Sequence, residues 1–556
     1  MPEKILEIRD LAVSFATPAG ELKAVRGVDL SVEAGEILCL VGESGCGKTV
    51  TCHAVMHLLP GNGRIKAGQI KLCGEDITHY SERQMRSLRG GSLAMVFQDP
   101  LGTLNPTMSV GEQIVEVIRK HQRVSKKEAR ARAIAMLKLV GITEAEQRFK
   151  LQPHFFSGGM RQRCVLAVAL AAGPRLLLAD EATTALDVTV KARILDLLLE
   201  IRQKTNIALV FVTHDLGSAA RIADKVAVMY KGQIVETGTA EEIFYNARHP
   251  YTQKLLAARP QAAGPQKCQA AQEALLELRH VSQHFFINKE LTVKAVDGLD
   301  LTLYRGEIFG LVGESGCGKS TVSRMIASIY QPTAGEIFLQ GESLKDNKSL
   351  RRKVQLIFQD AAAALNPRMT VAEIILEPLR IQGEDYKSAA VWQKITALLD
   401  QVALSETVLK KLPGELSGGQ RQRVAIVRSL LVEPDVLVAD EPIASLDIST
   451  QGQIIALLKK LQREKGFSLL FIAHDLAVVR NISDRVGVML QGKMVEMAAA
   501  EELFSHPQHP YTKALLSAIP VPDPQRERAK KILSYDTGSP VGEKIVYSGA
   551  GHYVLV

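Results

Sequence analysis

A chain of 556 residues is long enough for two or more domains with sizeable cores, and its 46% hydrophobic and 23% charged content is that of an ordinary globular protein. A net charge of +8 is mild for this length, and most Lys and Arg alternate with Asp and Glu, which argues against a nucleic-acid partner. The longest apolar stretch, 164–179, is broken by Gly173-Pro174-Arg175, and the first residues lack the basic and then apolar regions of a signal peptide, so a cytoplasmic protein without a membrane span is expected. The seven cysteines show no paired C-x-x-C spacing, which speaks against a disulfide framework or a zinc site.

Residues 36–41, Glu-Ile-Leu-Cys-Leu-Val, read as a buried parallel strand. It runs into Gly42, Glu43, Ser44, Gly45, Cys46, Gly47, Lys48 and Thr49, a match to G-x-x-x-x-G-K-[ST], the phosphate-cradling loop of nucleotide-hydrolysing proteins. The glycines let successive N–H groups turn inward towards phosphate oxygens. Lys48 places a compact positive charge on the β- and γ-phosphates, and the Thr49 hydroxyl can ligate Mg²⁺. A helix predicted over 49–59 adds the positive end of its dipole. The chain is therefore expected to bind a nucleoside triphosphate.

Further along, a strand over 94–97 ends at Gln98, and Leu-Asn-Pro-x-Met-x-Val follows at 104–110. Ser157, Gly158 and Gly159 open a helix predicted over 160–172, and the exposed N–H groups of such a helix start make an anion site. The apolar run 176–179 ends in Asp180 and Glu181. Asp180 suits Mg²⁺ and Glu181 suits a general base for the attacking water, the competing reading for such a pair being a helix N-cap. His214 closes the strand-like Val-Phe-Val-Thr at 210–213. His-Pro-Tyr-Thr stands at 249–252.

Everything then happens again. Gly313, Glu314, Ser315, Gly316, Cys317, Gly318, Lys319 and Ser320 form a second phosphate loop, offset by 271 residues from the first (42 to 313). Gln359, Ser417, Gly418, Gly419, Asp440, Glu441, His474 and a second His-Pro-Tyr-Thr at 509–512 follow at offsets of 260 or 261. A period this long means duplicated domains. The boundaries read as domain 1 at 1–260, a small polar linker at 261–273, domain 2 at 274–520, and an extension at 521–556 with no readable chemistry, a candidate regulatory or disordered tail. Thirteen extended residues reach about 43–47 Å, so the linker tethers the two copies closely. The fold class expected is α/β, with two tandem domains of mostly parallel sheet, each with an antiparallel β part and a helical subdomain.

The order of these motifs resembles that of ABC ATPases, over about 3–260 and 274–520. The Leu-Asn-Pro-x-Met-x-Val and His-Pro-Tyr-Thr segments resemble more narrowly the peptide and nickel (oligopeptide/dipeptide) importer group. The resemblance makes His214 and His474 switch histidines for the γ-phosphate, and Gln98 and Gln359 contacts to Mg²⁺ or the lytic water. Phe15 and Phe285 match the aromatic that stacks on adenine, against an equally natural reading as core residues of an early strand. The metal set is then Thr49, Gln98 and Asp180 at site one and Ser320, Gln359 and Asp440 at site two.

The resemblance also implies a head-to-tail pairing, with site one closed by Ser417-Gly418-Gly419 and site two by Ser157-Gly158-Gly159. Asp187 and Asp447 would link the sites. Two integral-membrane permeases and an extracytoplasmic solute-binding protein are the implied partners, with the chain peripheral on the cytoplasmic face of the inner membrane. Both sites carry a full set of groups. Ala182 stands where the family has Pro, as at Pro442, and Met160 takes the place of Gln420. No cysteine cluster for an iron–sulphur centre is expected. Two other tandem ABC types fit less well: ribosome-acting (ABC-F) proteins carry a long charged helical linker, and DNA-repair ATPases carry zinc modules or coiled coils. A fused sugar-importer ATPase lacks the His-Pro-Tyr-Thr tails.

Overall fold

The structure, a computed structural model, describes every residue except 1–2, 19, 98–99, 184–185, 258–272, 287–291, 346, 445, 447, 537–541, 543 and 549–550. The chain divides into two compact units. Unit 1 comprises Met1–Leu186, Val190–Arg259 and Pro520–Lys531; unit 2 comprises Asp187–Thr189, Pro260–Ile519 and Ile532–Val556.

Among its described residues unit 1 holds ten strands: β1 (Lys4–Thr17), β2 (Gly20–Glu33), β3 (Ile37–Val41), β4 (Gly63–Leu72), β5 (Glu75–Asp76), β6 (Leu93–Val96), β7 (Leu176–Asp180), β8 (Ala208–Thr213), β9 (Lys225–Tyr230) and β10 (Gln233–Thr239). An antiparallel sheet runs β2-β1-β4-β5, and a second sheet runs β10-β9-β3-β8-β7-β6. The second sheet is parallel except for the β9–β10 pair. Every residue of β3, β7 and β8 is buried, as expected where helices cover both faces and the sequence has no polar alternation. In such sheets ligands bind beyond the carboxyl ends of the strands. Val41 leads into the phosphate loop there, and Asp180 ends β7.

Unit 2 repeats the plan with β11 (Ala274–Phe286), β12 (Thr292–Tyr304), β13 (Ile308–Val312), β14 (Ala334–Leu339), β15 (Glu342–Ser343), β16 (Val354–Ile357), β17 (Val436–Asp440), β18 (Ser468–Ile472), β19 (Arg485–Leu490) and β20 (Lys493–Ala499). Two more strands, β21 (Ile545–Ser548) and β22 (His552–Leu555), extend its larger sheet to β16-β17-β18-β13-β19-β20-β22-β21.

The stretch 521–556, which in the sequence carries no readable role, is thus structural in two places. Helix Pro524–Ala529 belongs to unit 1, with Asp523 as its N-cap. Its Glu527 carboxylate is 2% exposed and accepts from Arg221, Lys530 and the Val521 N–H. In unit 2, β22 pairs with β20, and buried His552 meets Glu496 at 2.8 Å. The tail's pieces are short, and their partners lie far away in sequence, which hides these roles.

Helix limits also differ from expectation. The helix after the first phosphate loop spans Lys48–Val55 and stops short of 59. His57 takes a left-handed φ of 51° while the Leu58 N–H returns to the His53 carbonyl at 2.8 Å, a closure that ends a helix. The helices after the Ser-Gly-Gly motifs start two residues early, at Gly158–Leu170 and Gly418–Leu430, because Ser157 and Ser417 are their N-caps.

Candidate nucleotide sites

Each phosphate loop is a turn that only glycine fits. Gly47 and Gly318 both have φ +111°, and a Cβ on them would come within 2.7 Å of the Ala24 carbonyl oxygen and 2.2 Å of the Ala295 carbonyl oxygen. The loop therefore lies against its own sheet in the tight turn that a phosphate cradle needs. Lys48 is 4% exposed, and its Nζ donates to the carbonyls of Gly42 and Glu43, both at 2.8 Å. Lys319 does the same with Gly313 and Glu314, at 2.7 and 2.9 Å.

Four of the residues expected to hold Mg²⁺ meet in pairs at the two phosphate loops. Thr49 Oγ1 donates to Asp180 Oδ1 at 3.0 Å, and Ser320 Oγ donates to Asp440 Oδ1 at 3.2 Å. Burial pushes both carboxyls above the ordinary aspartate value. A hydroxyl and a carboxylate at the mouth of a glycine cradle form an all-oxygen donor set, which fits Mg²⁺ and a triphosphate.

One residue past each aspartate, Glu181 and Glu441 sit at φ +47°. A left-handed glutamate costs about 1 kcal/mol, so both halves hold a strained backbone to aim this carboxylate. Backbone bonds from the Glu181 N–H to Val212 O (3.1 Å) and from the Glu441 N–H to Ile472 O (2.9 Å) retain it. Neither glutamate is a helix N-cap. At site two, Gln359 Nε2 donates to Glu441 Oε2 at 2.7 Å and His474 Nδ1 lies 3.5 Å from the same oxygen. Burial alone would raise the Glu441 pKa, but the hydrogen bond and charge of His474 outweigh it and hold the group below the usual glutamate value. The bond to Glu441 in turn raises His474. At site one His214 Nδ1 lies 3.3 Å from Glu181 Oε1. Gln98 and Asp447 lie outside the described residues.

Phe15 lies on β1, partly buried against the core of the antiparallel layer; Phe285 lies on β11 with its ring edge-on to Tyr330, centroids 5.6 Å apart. Asp187, within unit 2, accepts the Ser315 N–H at 2.8 Å, and burial raises its carboxyl.

The two signature helices differ. Ser417 caps the Gln420 N–H, and Gln420 Oε1 accepts the Ser417 N–H at 3.0 Å, closing a reciprocal box. Met160 offers no such acceptor; its sulphur instead receives Arg148 Nη1 at 3.1 Å. Met160→Gln is expected to stabilise the Gly158–Leu170 helix by about 0.5–1 kcal/mol. Denaturant melts of the full chain read this out, and an unchanged or lower midpoint would show that the Arg148 contact outweighs the box.

Sequence reasoning overlooked Tyr251 and Tyr511. Their hydroxyls accept the N–H of Glu43 (3.2 Å) and of Glu314 (3.0 Å), inside the phosphate loops. The only signal was their repetition within His-Pro-Tyr-Thr. Lys191 and Asp215, an ion pair at 2.5 Å beside His214, were likewise unmarked.

Comparison with known proteins gives matches across both halves. The family described as "ABC transporter" matches residues 25–184 and 296–444, and that described as "Oligopeptide/dipeptide transporter, C-terminal region" matches 235–283 and 495–538. The chain is similar to the glutathione import ATP-binding protein GsiA of Salmonella choleraesuis, 42% identical over 601 residues, covering 99% of this chain and 96% of that one. The protein of the same name from Pectobacterium atrosepticum is 41% identical over 611 residues, covering 100% and 97%. Among solved structures, the dimeric ATP-binding cassette MJ0796 in a post-hydrolysis state with ADP and Pi is 29% identical, covering 41% of this chain and 99% of that chain, with a TM-score of 0.37.

Proposed function

The chain belongs to the ABC transporter family, and from that premise we propose that it is the ATP-hydrolysing subunit of an importer whose cargo is glutathione or a closely similar short peptide. It is an ATPase that uses ATP and Mg²⁺, of the group that takes up peptide-type substrates. The observation that carries the cargo is the pair of relatives, 42% and 41% identical across nearly the whole chain, whose names specify glutathione import. Nickel has no comparable support. The oligopeptide/dipeptide C-terminal regions in both halves disfavour the ribosome-acting and sugar-importer alternatives.

The chemistry follows from the side chains. Bound Mg²⁺ supplies neutralisation of charge on the phosphates. Lys48 and Lys319 supply a fixed ammonium at the cradle; Thr49 with Asp180, and Ser320 with Asp440, offer the oxygens that hold the cation. Glu441 takes the proton of the attacking water on Oε, while Gln359 fixes the carboxylate's orientation and His474 both orients it and keeps it ionised. At site one Glu181 takes the proton and His214 orients its carboxylate. Phe15 and Phe285 are proposed to stack on adenine.

The two halves are proposed to pair head to tail, Ser157-Gly158-Gly159 and Ser417-Gly418-Gly419 each capping the nucleotide held by the other half. Each signature serine caps a helix start whose anion-binding potential its own phosphate loop does not need, which supports that reading.

Among the described residues no helix is long and apolar enough to cross a membrane. Large apolar side chains stand exposed on the helical segments, with Phe155 62% exposed in unit 1 and Ile381 80% exposed in unit 2. These surfaces are proposed to receive cytoplasmic helices of two permease subunits, with an extracytoplasmic binding protein delivering the cargo and the chain peripheral on the inner membrane. Mild-detergent purification of the tagged chain with mass spectrometry tests this. Two multi-span subunits and a binding protein carrying glutathione are expected. Ribosomal proteins without any membrane subunit would overturn the importer, and a binding protein loaded with another ligand would overturn the cargo alone.

A further inference from the structure

The peptide between Gly42 and Glu43 is pinned at both ends. Its carbonyl, Gly42 O, accepts Lys48 Nζ at 2.8 Å, and its N–H, on Glu43, donates to the Tyr251 hydroxyl at 3.2 Å. The peptide between Gly313 and Glu314 is pinned in the same way, by Lys319 at 2.7 Å and by Tyr511 at 3.0 Å. A peptide group is planar, so fixing its N–H fixes the direction of its carbonyl. The tyrosine hydroxyl thereby sets where the lysine ammonium rests, although it touches neither the lysine nor the phosphates.

The tyrosines are themselves held by a repeated device. In unit 1, Glu236 on β10 accepts the N–H groups of Arg248 and His249 at 2.7 and 3.1 Å, and His249 Nδ1 accepts the Tyr251 N–H at 3.1 Å. The Tyr251 ring stacks on Tyr230, centroids 4.1 Å apart. In unit 2, Glu496 on β20 accepts the N–H groups of Gln508 and His509 at 2.7 and 3.0 Å, and His509 Nδ1 accepts the Tyr511 N–H at 3.1 Å. Tyr511 is 1% exposed, packed edge-on by Tyr535 at 5.6 Å. Burial lifts the Tyr251 phenol to about 12 and moves Tyr511 in the same direction, so both hydroxyls stay neutral and free to accept at any working pH.

We propose that Tyr251 and Tyr511 are positioning residues for the phosphate-binding lysines, each acting through the first peptide of its phosphate loop. The carboxy-terminal His-Pro-Tyr-Thr segments then belong to the nucleotide machinery of their own halves. The inference rests on the ATPase reading.

Tyr251→Phe and Tyr511→Phe remove one oxygen and keep the ring. Each is tested in the full-length chain, the first with Lys319→Ala and the second with Lys48→Ala, so that a titration with a ribose-labelled fluorescent ATP analogue reports one loop. Expected are a Kd weakened about five- to tenfold relative to the matching parent, and faster hydrogen exchange of the peptide spanning that loop in the nucleotide-free chain. In the chain with both lysines intact, KM for ATP rises by a similar factor while kcat stays within about twofold. A Phe variant that melts earlier yet binds the analogue within twofold of its parent, with unchanged loop exchange, overturns the inference by reducing the tyrosine to core packing. Parents that bind no analogue overturn the ATPase reading and the inference together.

Discussion

Replacing both bases, Glu181→Gln with Glu441→Gln, lowers ATP turnover by about 10²–10⁴-fold and leaves nucleotide binding within about twofold. Glutamine keeps the volume and one acceptor oxygen, so Gln359 retains a partner and the strained turn at φ +47° keeps its backbone bonds. What disappears is the ability to take a proton. The electrostatics of site two also fix the pH behaviour. Glu441 is held below 4.5, so its contribution to stability is present above that value and fades as pH falls through its folded value. His474 is held above 6.5, so its contribution is complete below that value and is lost as pH rises through its folded value. The pair is therefore strongest between about 4.5 and 6.5, and the acid limb of turnover set by Glu441 lies below 4.5. Phosphate release across a pH series, beside analogue binding, measures all of this. Turnover within tenfold of the parent would remove the glutamates from the role of base.

Lys48→Ala or Lys319→Ala is expected to weaken ATP at its own site by about 10²–10⁴-fold. Two charge-assisted hydrogen bonds to phosphate, at roughly 1.5–3 kcal/mol each, account for that range. In each half the change also strips the ammonium from two loop carbonyls, Gly42 and Glu43 or Gly313 and Glu314, so the loop loses the internal tie that shapes it. Arginine is not a substitute: the slot is nearly closed, each lysine being 4% or 5% exposed, and a planar fork does not fit where a point charge does. Analogue titration of each variant reads the loss, and a change below tenfold would mean that the backbone amides do most of the binding.

Much of this was legible from residues alone. The strands β3, β7 and β8 are continuous apolar runs, and their burial follows from that pattern. The phosphate loops, Asp180, Asp440, Glu181, Glu441 and His474 stand where motif and strand end put them. What the sequence hid was of three kinds. Tyr251 and Tyr511 were visible as a repeated motif, but nothing local says that a hydroxyl so far along the chain reaches the second residue of a phosphate loop. The extension past 520 was unreadable because its anchors, Arg221 for Glu527 and Glu496 for His552, are remote, and such short stretches carry no readable periodicity. Helix ends slipped for a third reason: the His57 closure depends on one left-handed residue that helix propensity does not mark.

The helix Pro524–Ala529 carries one more implication, for the order of events during synthesis. It is part of unit 1, where Arg528 pairs with Glu241 at 2.7 Å, the Tyr245 hydroxyl donates to Asp523 at 2.6 Å, and buried Glu527 meets Arg221. A ribosome releases these residues roughly 270 positions after Arg259, which at about 5–20 residues per second is a delay on the order of 15–50 s. Throughout that interval the nascent first half carries Arg221 without the Glu527 carboxylate that it meets in the finished protein. The first unit begun therefore stays unfinished until nearly all of the second has been made, and a ribosome that stalls inside the second copy leaves both incomplete.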